Sequence, residues 1–199
     1  SRAFTIGKAG QQITFEALAN KTLGDADFGV SATASSNLAV SFSAGGNCGL
    51  SGSQVHLTGA GQCTITASQD GNSDYNPAAP VSRTFSIGKA EQQITFEALP
   101  NKTVGDADFQ LSATSSSSLG TSFSASGNCT LTGIQVHLTG AGQCSITASQ
   151  DGNSDYNAAA PVTRTFSINK AEQQITFEAL ADKKFGEADF NVNATASST

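Results

Sequence analysis

Apolar and polar residues alternate one for one along most of this chain. Ile13, Phe15 and Ala17 share one parity, while Thr14 and Glu16 share the other. The pattern returns at Phe28, Val30 and Ala32, at Leu38, Val40 and Phe42, and at Cys48 and Leu50. It continues through Val55 and Leu57, Cys63, Ile65 and Ala67, and Val81, Phe85 and Ile87. A period of two is that of a half-buried β-strand, and no helical period competes with it. Turn formers separate the runs: Gly24, Asp25 and Asp27 within 20–27, the short break 35–37, Gly45-Gly46-Asn47, Gly59-Ala60-Gly61, and the polar loop Gln69–Asn76. About seven short strands at regular spacing predict an all-β, antiparallel β-sandwich.

The whole pattern then repeats. QQITFEAL stands at Gln11–Leu18, Gln92–Leu99 and Gln173–Leu180, a fixed spacing of 81 residues. A period of that length predicts tandem domains. Residues 6–86 and 87–167 differ at 16 of 81 aligned positions, several of them mild, such as Val30 against Leu111. The expected organisation is a final strand of a preceding repeat at 1–9, full repeats at 10–90 and 91–171, and the first strands of an incomplete repeat at 172–199. Only Gly88-Lys89-Ala90-Glu91 and Asn169-Lys170-Ala171-Glu172 join successive copies. Flexible linkers are longer and richer in Gly and Ser, so the expectation is contact between neighbouring repeats and a semi-rigid array. Strands of six to eight residues plus end loops would advance it by about 35–40 Å per repeat.

Charged residues make up 13% of the chain, against about 25% in an ordinary domain. The net charge of −6 argues against a nucleic-acid partner. No apolar run approaches the ~20 residues that span a bilayer. Four cysteines allow three pairings. The repeat favours Cys48 with Cys63 and Cys129 with Cys144, one intradomain disulfide per repeat. Closing a loop of about 15 residues stabilises by ~3 kcal/mol, and such bridges point to an extracellular or cell-surface location. Metal ligation is the rival reading and has little behind it: there is no CxxC spacing, and His56 is the sole histidine of its repeat.

The blocks GDADF (24–28, 105–109), GAGQCTITASQDGNSDYN (59–76, with Ser145 in place of the first Thr in the second copy) and TFSIGKA (84–90) carry a resemblance. Together with QQITFEAL they resemble bacterial immunoglobulin-like repeats of the MBG or Big type, over both full copies and the partial third. That resemblance implies tandem immunoglobulin-like sandwiches in an extracellular structural or adhesive array, with no catalytic residues to carry over. The cysteines do not occupy the antibody-domain positions and there is no core Trp.

Asp70, Asn72, Asp74 and Asn76, repeated at Asp151, Asn153, Asp155 and Asn157, have the alternating oxygens of a calcium loop. Tyr75 stands where such a loop needs Gly, however, and Val81 where it needs Glu. A loop whose Asp and Asn side chains cap their own turns is the simpler reading. In a head-to-tail array the turn holding Asp25 and Asp27 would face the next repeat's loop, bringing them towards Asp151 and Asp155, so shared calcium is a second arrangement to test. The expectation without it is no cofactor. Tyr75 and Tyr156 are expected to pack over the core edge, and His56 and His137 to be plain surface residues. Four sequons, at Asn20, Asn101, Asn128 and Asn193, match a common pattern in a chain rich in Ser, Thr and Asn. No nucleophile elbow or phosphate loop occurs, so no enzyme is expected.

The functional expectation is a structural segment of an extracellular stalk or filament. The alternative is a set of adhesin repeats binding carbohydrate or protein through loops such as Gln69–Asn76, and a third reading makes the repeats spacers for a catalytic domain elsewhere. The expected partners are the neighbouring repeats. Strands rich in Ser and Thr, with few charges, also suggest self-assembly into a multi-chain fibre.

Overall fold

The computed structural model describes residues 2–197, so the ends of the segments expected at 1–9 and 172–199 lie outside the described residues. Among the described residues every regular element is a strand, and no helix is long and apolar enough to cross a membrane. The chain is an array of immunoglobulin-like β-sandwiches. In the first repeat the strands are β1 (Ile13–Phe15), β2 (Lys21–Thr22), β3 (Phe28–Gly29), β4 (Ala32–Ala34), β5 (Ser41–Gly46), β6 (Cys48–Ser51), β7 (Gln54–Leu57), β8 (Gly61–Ser68) and β9 (Val81–Gly88). One sheet has the order β2-β9-β8-β5 and the other β3-β7-β6, with β1 paired to β4.

The alternation seen in the sequence is the alternation of burial. Along β8, Cys63, Ile65 and Ala67 are fully buried, and Val55 of β7 meets them from the other sheet. Phe85 and Ile87 of β9 and Phe15 of β1 complete the core. Phe15 packs on Phe42 with ring centroids 5.6 Å apart, and Phe28 meets Phe85 edge-on at 5.7 Å. Such tilted aromatic pairs add to simple area burial.

The expected first strand gives β1, antiparallel to β4 with Ile13 opposite Ala34. Beyond it comes β2, which runs parallel to β9 with Lys21 opposite Ile87. The region 20–27, read from sequence as turn alone, therefore contains a strand. Its amides need partners: Leu23 N–H donates to the Gly88 carbonyl and Thr22 N–H to the Asp25 carboxylate. The strand expected at Phe28, Val30 and Ala32 divides into β3, which pairs with β7, and β4, which pairs with β1. Strand β5 starts at Ser41 rather than at Leu38 and continues through Gly45 and Gly46, where a turn was expected. Gly46 has φ +88°, and a Cβ there would run into the Gln62 carbonyl. The missing side chain is what lets the chain cross from one sheet to the other at this point.

Both disulfides join the cysteines expected. Cys48 opens β6 and Cys63 lies in β8, with Cα atoms 5.6 Å apart, so the bridge ties the two sheets together. Cys129 and Cys144 do the same in the second copy, again at 5.6 Å.

The second copy contains β10 (Ile94–Phe96), β11 (Lys102–Thr103), β12 (Phe109–Gln110), β13 (Ala113–Ser115), β14 (Ser122–Gly127), β15 (Cys129–Thr132), β16 (Gln135–Leu138), β17 (Gly142–Ser149) and β18 (Val162–Asn169), in the same strand order. Its fully buried side chains are Val136, Cys144, Ile146 and Ala148, the counterparts of those in the first. Beyond them β19 (Ile175–Phe177) and β20 (Ala194–Ala196) pair antiparallel. Here Ile175 and Phe177 are 74% and 54% exposed, against 9% and 3% for Ile13 and Phe15, because no opposing sheet covers the pair among the described residues. Residues 2–8 form no strand, although a final strand was expected there. Next to them, Ala9 makes a single bridge, to Tyr75.

The chain divides into two compact units. The first holds the whole of the first repeat together with Thr114–Thr121 and Ser149–Pro161. The second holds Phe96–Ala113, Ser122–Ala148 and the chain from Val162 onward.

Candidate functional site: the clamped joint

Within the first unit, the residues joining one copy to the next are held by a polar hub that begins with the first Gln of the first two QQITFEAL segments, Gln11 and Gln92. Gln11 has the parity of Ile13 and Phe15, so strand alternation turns it inward, and it is buried. A buried amide must find partners. Its Nε2 donates to Gln69 Oε1 and to the Asn76 carbonyl, and its Oε1 accepts from Ser36 Oγ. Gln69 Oε1 also accepts the Gly71 N–H at 2.6 Å. Gln92 repeats the arrangement with Gln150, the Asn157 carbonyl and Ser117. This hub ties the start of each repeat to two of its own loops, and sequence reading had passed it over as part of a strand.

The loop 69–76 is built by its own side chains. Asn72 Oδ1 accepts the N–H groups of Asp74 at 2.8 Å and Tyr75 at 2.9 Å, and Asn153 does the same for Asp155 and Tyr156. Gly71 sits at φ +76°, where a Cβ would strike the Tyr75 carbonyl. The loop then clamps the linker as a short parallel strand. Ala90 N–H donates to the Asp155 carbonyl at 2.8 Å, and Asn157 N–H to the Ala90 carbonyl at 2.9 Å. Lys89 Nζ reaches the Asn153 carbonyl at 2.6 Å, and Asn157 Nδ2 reaches Glu91 Oε1 at 2.7 Å. With the Gly88 carbonyl held by the Leu23 N–H, all four linker residues have fixed partners. The half-buried tyrosines contribute their backbones to this clamp.

The acidic residues singled out from sequence separate into different roles. Asp25 and Asp155 line one open cleft of about 700 Å³ with Leu23, His56, Glu91 and Tyr156. Asp27 is elsewhere engaged: its Oδ1 lies 2.8 Å from His56 Nδ1, and Asp108 pairs with His137 at 2.9 Å. The histidines thus have acidic partners 29 residues away, which the expectation of plain surface residues missed because the pairing of β3 with β7 supplies the proximity. These pairs are exposed and contribute little stability. Asp70 and Asp151 line no part of the cleft. The amide oxygens at Asn72 and Asn153 already accept two amide hydrogens each, and no group of three or more ligating side chains forms among the described residues. The melting temperature is accordingly expected to be the same in calcium and in chelator; a rise with calcium would reveal a site bound by the folded state.

Of the sequons, Asn20 and Asn101 accept the backbone N–H of Ser86 and Ser167 at 2.9 Å. Asn128 donates its Nδ2 to the Ala141 carbonyl, which commits the very nitrogen a glycan would take.

No family model and no curated protein matches the sequence. Among solved structures, the chain is similar to Drosophila N-cadherin EC1-4 at 12% identity and a TM-score of 0.34, covering 94% of this chain and 59% of that one. Human desmocollin-1 ectodomain aligns at 11% identity and a TM-score of 0.33, covering 97% of this chain and 45% of that one. The chain thus spans less than two thirds of either structure.

Proposed function

We propose that this chain is a structural segment of an extracellular stalk or filament built from stacked immunoglobulin-like repeats. The observation that carries this reading is the clamped linker: Lys89, Ala90 and Glu91 are each bonded to the loop 150–157. A chain whose copies are joined by immobilised residues, with near-identical units on either side, is suited to holding a length rather than to reorganising around a ligand. The two disulfides support an oxidising location. The adhesive alternative is less favoured, because the loop it would use spends its side chains on its own turns and on the linker.

The stalk reading extends to lateral association. Strand β5 lies at the end of its sheet, and Ser41–Gly46 contains neither charge nor proline, the usual defences of an open edge. Electron microscopy of the purified chain tests both parts. Thick, helically ordered fibres are the expected result; single thin beaded rods would remove the lateral component and keep the stalk, and collapsed particles of no fixed length would remove the stalk itself.

A further inference from the structure

The two copies of the polar loop are the same in sequence from Gln69 to Asn76 and from Gln150 to Asn157, yet one carboxylate behaves differently. Asp74 and Asp155 each donate an N–H to the Asn two residues before and accept from the linker alanine through their carbonyls. The Asp74 side chain is exposed, whereas Asp155 is half-buried. Asp155 Oδ1 accepts the Ala60 N–H at 2.9 Å, a contact spanning 95 residues.

The receiving turn is prepared for it. Asn47 Nδ2 donates to the Ala60 carbonyl and Asn47 O accepts Thr58 N–H at 3.1 Å, which fixes the turn 59–61 from beneath. Gly61, at φ +139°, leaves room for the Asn47 amide. A side chain at Gly59 would come within 3.2 Å of Asp155 Oδ1, while at the equivalent Gly140 only the Asn128 amide is near, at 4.0 Å. The same turn thus exists with and without an incoming carboxylate, and its internal bonds are the same in both.

We propose that this Gly-Ala-Gly turn is a docking surface for the polar loop of the repeat that follows it, and that Asp155 is the residue that locks the two together. Charge complementarity favours the contact, since an amide N–H directed outward from a turn suits an ionised acceptor. The lock goes beyond the linker clamp, which fastens each linker only to its own repeat; this bond reaches the body of the preceding one. The inference concerns the joint itself and stands apart from whether the chain forms fibres.

Spin labels at Ser53→Cys and Thr114→Cys, both exposed positions of the first unit, test it by the distribution of distances between them. The native cysteines are bridged and do not take label. One narrow peak is expected for the parent chain, lost in Asp155→Ala and retained in Asp74→Ala. Asp155→Asn, whose amide oxygen still accepts, is expected to keep the narrow peak, and it serves as the folding control. The proposal is overturned if the parent is already broad, if Asp155→Ala keeps the peak, if Asp74→Ala loses it too, or if Asp155→Asn behaves like alanine.

Discussion

Replacing Cys48 and Cys63 together with alanine is expected to destabilise the first repeat by about 3 kcal/mol while leaving the unfolding of the second unchanged. The bridge closes a loop with a sequence separation of 15, and that loop contains β6, β7 and the receiving turn. Without it the unfolded chain regains the freedom of the loop, and only the crossovers at Gly46-Asn47 and at 58–60 join the two sheets on that side. For a sandwich of this size a loss of 3 kcal/mol lowers the melting temperature by about 12–24 °C. Calorimetry of the variant should therefore split one transition into two. A single transition at the parent temperature would show that the bridge adds nothing to the folded state's advantage.

A loss of comparable size is expected from Ile65→Ala, about 2–5 kcal/mol. Ile65 is fully buried, lies in the middle of β8, and is surrounded by strands on both sides and by Val55 from the opposite sheet. Close-packed surroundings of this kind relax little, so most of the deleted volume stays empty. Chemical denaturation followed by circular dichroism measures the effect. Ile146→Ala, the counterpart in β17, should give the same loss in its own repeat. A cost below about 1 kcal/mol at either position would mean that the two sheets close over the gap.

What the sequence made legible follows from where its signals are local. Alternation along 63–67 and 81–87 placed the inward faces of β8 and β9, and the repeat itself selected the cysteine pairs. The turn-capping role of Asn72 was also readable, since Asp and Asn bond to backbone within two or three residues. The parallel pairing of β2 with β9 was not, because two residues carry no period and their partner lies more than sixty positions away. The Asp27–His56 pair was hidden for the same reason. The burial of Gln11 was legible from its parity with Ile13, although a polar side chain carries no hydrophobic signal of its own. Asp155 could not have been told from Asp74 by any local rule, since the two loops are identical and only the neighbouring turn distinguishes them.

The parallel run of β2 beside β9 has a mechanical consequence. The chain enters the first repeat ahead of β1 and leaves it directly after β9. A pull on the two ends slides β2 and β9 past one another, so the bonds at Lys21, Thr22 and Leu23 share the load in shear instead of parting in sequence from one end. Should that latch give way, the disulfide still withholds the residues between Cys48 and Cys63 from extension, about 50 Å of contour at ~3.5 Å per residue. Each sandwich thus couples a brittle non-covalent fastener to a covalent stop, an arrangement that resists stretching first and limits its extent afterwards.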